Sequence, residues 1–181
     1  MKTETTRLHH EFDEVVQRCN ALAARLDDEA LMRRPAPASW SVAENLEHLS
    51  ATAATYNRRI RRRLDASTTS DTFSREKKSV VGRLWLSLVE PPPRMRLKVP
   101  AAALQPGEIT TRDALLARFG ETHATLIALL EESDAYDRMR LRIPTAFAKR
   151  ITVTLYDGFV VLAAHGRRHL WQAEKAVGSL Q

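Results

Sequence analysis

Ser41-Val42-Ala43-Glu44-Asn45-Leu46-Glu47-His48-Leu49 opens the stretch whose reading decides the fold. Ser-x-x-Glu is a capping box. The Ser41 hydroxyl accepts the N–H three residues on, and the Glu44 carboxylate reaches back to the N–H of Ser41. From this start, apolar residues recur at Val42, Leu46, Leu49, Ala53, Tyr56, Ile60 and Leu64. Steps of four and three kept up for so long form the narrow stripe of a bundle helix. Asn45, His48 and Thr52 make a second row at the edge of that buried face. Arg58, Arg59, Arg61, Arg62 and Arg63 fill the last turns, where cations suit the helix dipole.

Working outward, residues 5–33 carry the same periodicity in Leu8, Phe12, Val15, Cys19, Leu22 and Leu26, and Pro35 and Pro37 end that first helix. Cys19 falls on the stripe and reads as an inert buried thiol. Residues 66–109 break the pattern. A short helix fits 76–89, Pro91-Pro92-Pro93 stops it, and the chain then runs extended through Lys98-Val99-Pro100 to Pro106-Gly107. A connection this long exceeds a tight hairpin and can cross the length of a bundle, which lets the second and third helices run parallel. The third helix starts near Thr110 or Thr111 and ends by Ser133. The fourth runs from about Lys149 or Arg150 to Val177, with the β-branched Ile151-Thr152-Val153-Thr154 weakening its first turn. The expected fold is all-α, a four-helix bundle running up-down-down-up, with a long crossover between helices two and three and one domain over residues 1–181.

Composition narrows the function classes. The chain has 181 residues, 44% hydrophobic and 28% charged, which are globular values. Its single cysteine excludes an internal disulfide and suits a reducing compartment. The N-terminus lacks an apolar signal core and no apolar run approaches a membrane span, so a soluble cytoplasmic protein is expected. The net charge of +6 is uneven: residues 58–98 hold twelve Lys/Arg against four acids, leaving the remainder slightly acidic. Such a segment attracts anions. It supports an alternative function, a non-catalytic stress-associated module that binds nucleic acid or a protein partner. No recognition-helix or aromatic-platform motif accompanies it.

The chemistry lies in the histidines. His165 and His169 stand four apart on the fourth helix, on one face, where two imidazoles can serve one metal ion. Six histidines scattered at random give such a pair in roughly one chain in six, so the pair needs a third ligand. In the up-down-down-up arrangement, helix two is antiparallel to helix four, and His48 reaches the level of the pair. Three histidines with an open fourth position make the donor set of a catalytic metal site. His9 and His10 read as solvated surface. His123 lies on the core stripe of helix three and reads as a satisfied core histidine, with a supporting or channel-lining role as the alternative. Glu44, Asn45, Tyr56, Asp157 and Gln172 are candidates to orient the ligands. The pair lacks the glutamate that follows the first histidine in zinc proteases, and phosphate loops, nucleophile elbows and Cys-x-x-Cys are missing.

Trp40-Ser41-Val42-Ala43-Glu44-Asn45-Leu46-Glu47-His48-Leu49 resembles the second-helix motif of the DinB-like superfamily, a tryptophan followed at fixed distance by histidine and leucine. His165-Gly166-Arg167-Arg168-His169-Leu170-Trp171-Gln172 resembles its fourth-helix motif, and Lys98-Val99-Pro100 loosely matches its proline-containing crossover. The resemblance implies a divalent metal ion, zinc or nickel, held by His48, His165 and His169. It also implies a small-molecule substrate such as a low-molecular-weight thiol, and a homodimer. Family members with known activity include thiol-dependent S-transferases and isomerases, so the expected function is thiol transfer or related hydrolysis. Gly166-Arg167 departs from the acidic residue commonly seen after the first histidine.

Overall fold

A computed structural model describes residues 3–92, 106–146 and 151–179. Four long helices carry the fold: α1 (Thr3–Ala24), α3 (Val42–Asp65), α5 (Arg112–Glu132) and α6 (Leu155–Gly178). Two short ones join them, α2 (Asp28–Met32) and α4 (Val80–Val89). Cross-helix contacts fix the directions. On α3 and α5, Glu47 pairs with Arg118, Asn57 with the Thr122 carbonyl and Arg61 with Glu132, so the two helices run parallel. Asn45 meets His169 and His48 meets His165, so α3 and α6 are antiparallel. Glu4 meets Tyr156 and Arg18 meets Glu174, so α1 and α6 are parallel. The bundle therefore runs up, down, down, up. Lys98-Val99-Pro100 and most of the expected extended crossover lie outside the described residues.

The capping box at Ser41 forms in full, with Glu44 N–H donating to Ser41 Oγ and Ser41 N–H donating to Glu44 Oε2. Thr111 caps α5 as expected. Two expectations need correction. The single helix over 5–33 is broken after Ala24. Asp27 accepts the Ala30 N–H and starts the separate helix α2, because an aspartate at an N-cap satisfies an otherwise orphaned donor. The fourth helix starts at Leu155 and not near Lys149 or Arg150, two positions outside the described residues. Thr152–Thr154 forms a short strand (β2) paired antiparallel with Arg142–Pro144 (β1), in the register Ile143 to Val153. A β-branched run suits the pleat, and Thr154 then caps α6.

Apolar packing gathers in two clusters. One contains Leu8, Phe12, Tyr56, Ile60, Leu126 and Phe159. The other contains Val15, Cys19, Leu46, Leu49, Phe119 and Leu170. Along α3, α5 and α6 the two clusters leave a gap at residues 50–55, 120–125 and 164–169. Thr52, His123, His165 and His169 lie within those gaps, buried. A polar belt thus divides the core. Cys19, in the second cluster, is only 1% exposed, and burial pushes its thiol up to about 12, which leaves it unreactive.

Helix α4 is seated on α6. Ser79 N–H donates to Asp157 Oδ1 (3.1 Å) at its start, Arg168 Nη1 donates to the Leu88 carbonyl (2.8 Å) near its end, and Arg167 pairs with Glu90 just beyond. Val89 packs on Val161 and Ala164 between these ties. Gly82 allows the approach, because a Cβ there would overlap the fully buried Asp157 carboxylate. Gly82→Ala is expected to destabilise the protein although alanine is the better helix former. Overpacking typically costs about 1–3 kcal/mol, and a domain of this size loses about 2–4 °C of Tm per kcal/mol. A melt at or above the wild-type Tm would contradict this seating of α4.

Candidate metal centre

His48 comes from the first half of α3, and His165 and His169 from successive turns of α6. All three are buried, 1%, 4% and 6% exposed. One ring nitrogen of each lies within 4.8 Å of the other two. His48 Nε2 and His165 Nε2 are 3.1 Å apart. Two imidazole nitrogens bound to one tetrahedral ion at about 2.0–2.1 Å stand ~3.4 Å apart, so this pair is already near ligating distance. The donor set fits a divalent transition ion: three buried imidazoles, borderline in softness, converging from two facing helices.

The α3 cap helps to aim one of these rings. Asn45 Nδ2 donates to the Ser41 carbonyl (2.8 Å), which turns Asn45 Oδ1 toward α6. An amide oxygen only accepts, so His169 Nδ1 carries the proton and donates to it (2.9 Å). Nε2 of His169 is thereby left as the ring atom with a lone pair for a metal. The chain of contacts runs from the helix cap to the His169 ring. Asn45→Ala is expected to keep the fold and weaken divalent-metal affinity about 10–100-fold, the usual effect of losing a ligand's hydrogen-bond partner. Competition with a chelating dye measures it, and an unchanged affinity would show that Asn45 does not orient the ring.

The other candidates are placed elsewhere. Glu44 is engaged in the cap and with Arg34. Tyr56 hydroxyl meets Thr145 and accepts the Ala146 N–H. Asp157 holds the start of α4. Gln172 is half-buried on α6 and takes no part in the Asn45–His169 contact. His9 sits between Asp13 and Glu131 on the surface. Trp40, read in the sequence only as part of a motif, packs on two of the three rings, 4.9 Å from His48 and 5.7 Å from His169 between ring centres. It forms an aromatic wall at the end of the bundle.

Electrostatics favour neutral rings. Burial first, then the neighbouring His48 and Arg168, hold His165 well below the ordinary histidine value. Burial, then His165 and His48, do the same for His169. Neutral imidazole is the form that ligates. His123 is also buried; its Nδ1–H donates to the Phe119 carbonyl (2.8 Å), and burial lowers it to about 4. The basic run is partly paired with the protein's own surface groups. Arg61 pairs with Glu132 and Asp65, and Arg59 donates to the Pro144 carbonyl.

A family profile for the DinB superfamily matches residues 11–173, nearly the whole chain. The chain belongs to the DinB superfamily. No curated protein matches it. Among solved structures it is similar to YfiT from Bacillus subtilis, with a TM-score of 0.61 at 14% identity, over 99% of this chain and 90% of that one. YfiT is described as a probable metal-dependent hydrolase with an unusual four-helix bundle topology. At that identity the likeness concerns the fold alone. Among the described residues of this DinB-superfamily chain, no helix is long and apolar enough to cross a membrane.

Proposed function

We propose that this protein is a metal-dependent enzyme acting on a small molecule at a divalent ion held by His48, His165 and His169. The observation that carries the proposal is the convergence of three buried imidazoles within 4.8 Å, one of them aimed by Asn45. A divalent ion there supplies Lewis acidity, which lets a water or thiol ionise near neutral pH. The chain's own residues hold His165 and His169 below the ordinary histidine value, set the His169 tautomer and wall the site with Trp40. Hydrolysis is the coarser reading, supported by the fold shared with YfiT. Transfer of a low-molecular-weight thiol is the finer one, with zinc or nickel as the ion.

Metal analysis of untagged protein tests the first part. The expected result is about one divalent ion per chain, lost to a chelator and regained on titration; failure to take up zinc, nickel or cobalt would overturn the proposal. A panel of esters and thiol-acceptor substrates, assayed with and without added thiol, separates the two chemistries. Turnover that requires the thiol favours transfer, and turnover with water alone favours hydrolysis.

A further inference from the structure

The polar belt contains groups that the three ligands do not account for. A small cavity lies behind His165, between α1, α3, α5 and α6. Its walls are apolar (Phe12, Leu49, Leu126 and Leu162 among them) except for His165, His123 and Thr52. It offers ≈ 10 Å³ to the centre of a water molecule, which is about the room that one water occupies.

Thr52 is 1% exposed, and its Oγ1 finds no hydrogen-bond partner among the described residues. This is unusual for a helical hydroxyl. Ser50, Thr122 and Thr125 all return theirs to the carbonyl four residues earlier. Leaving a buried hydroxyl unsatisfied is unfavourable, and nearly all such groups in folded proteins have a partner. His123 supplies the complement. Its Nδ1–H is committed to Phe119 O, so Nε2 carries the lone pair on a ring that lines the same cavity.

We propose that Thr52 and His123 hold one buried water between them against the His165 ring, and that this pair positions the deep wall of the metal centre. The water donates to His123 Nε2 and exchanges a hydrogen bond with the Thr52 hydroxyl. The three groups come from α3, α5 and α6, so the water ties the helices together at the level of the ligands. The water site stands without a metal. Its service to His165 rests on the three-histidine reading above.

Melting curves of chelator-treated protein test the water. Thr52→Val is expected to lower Tm by about 2–4 °C, because the water loses a partner, while Thr52→Ser stays close to wild type. Thr52→Val and His123→Phe each remove the same water, so the double variant loses less than the sum of the singles. A Thr52→Val protein with raised Tm would show a dry cavity in which a methyl fits better than a hydroxyl. Strict additivity would show that the two residues share nothing. Either result overturns the water site. Zinc titration tests the positioning role: Thr52→Val should weaken affinity about 10-fold and Thr52→Ser should restore it. Equal affinities in all three proteins overturn that role. If wild-type protein takes up no zinc, the positioning role falls with the metal-centre reading, and the melts still decide the water.

Discussion

Replacing His48 with alanine is expected to abolish tight divalent-metal uptake while leaving the bundle folded. His48 is the one proposed ligand on α3; the other two share α6 and cannot enclose an ion alone. Zinc held by four protein ligands is worth about 10–16 kcal/mol, or about 3–4 kcal/mol per ligand, which is about 10²–10³-fold in affinity. Isothermal titration or competition with a chelating dye reads that loss directly. The helical circular dichroism should persist, because the apolar clusters on either side of the belt do not depend on this ring. His10→Ala is the control: His10 is exposed on α1, and its replacement should leave metal uptake unchanged. If His48→Ala bound zinc as tightly as the wild type, an ion would have to sit elsewhere, and the proposed centre would be wrong.

What could be read before the structure followed the range of each signal. The α3 helix was legible because its cap and stripe are local, and Ser41 and Glu44 satisfy one another within a single turn. The up-down-down-up order followed from one long connection, since the chain between α3 and α5 is too long for a hairpin. The break after Ala24 was hidden because Leu26 continues the apolar spacing while Asp27 starts a new cap. The β1–β2 pair was hidden for the opposite reason. Its partners are three-residue segments, too short for a period-two pattern to show against a neighbouring helix. At the site, the three histidines could be placed at one level from helix rise alone. The choice of Asn45 over Glu44, Tyr56, Asp157 and Gln172 as the ring's partner could not. It depends on a side-chain amide that must satisfy Ser41 O before its oxygen can face His169. Thr52 fell in the right row of α3, but its lack of a partner appears only when the neighbouring helices are in place.

The second large effect is acid sensitivity of the metal-free protein. His123, lowered to about 4, and His165 and His169, well below their ordinary value, are neutral in the fold. In the unfolded chain each takes a proton near pH 6.5. Below that pH the unfolded state binds more protons than the folded one, so stability falls as pH falls. The stability is fully present above the unfolded value and is lost below it. For His123 the window runs from about 6.5 to about 4, worth about 3 kcal/mol in all. A single such group gives a slope of up to about 1.4 kcal/mol per pH unit, appreciable against a typical total of about 5–15 kcal/mol, and His165 and His169 act in the same direction. Carboxylates add to this only lower down. Glu4, Glu44, Glu132 and Asp137 are held below their ordinary values, so their contribution is lost as pH falls through the carboxylate range. Glu47, raised by its burial, opposes them there. Between pH 6.5 and 5 the histidines therefore dominate. Thermal melts should show Tm falling steadily across that interval, and His123→Phe should reduce the steepness by up to about 1.4 kcal/mol per pH unit. A Tm unchanged from pH 7 to pH 5 would mean that the belt accepts protons in the folded state, and the neutral imidazoles required for metal binding would then be lost at mildly acidic pH.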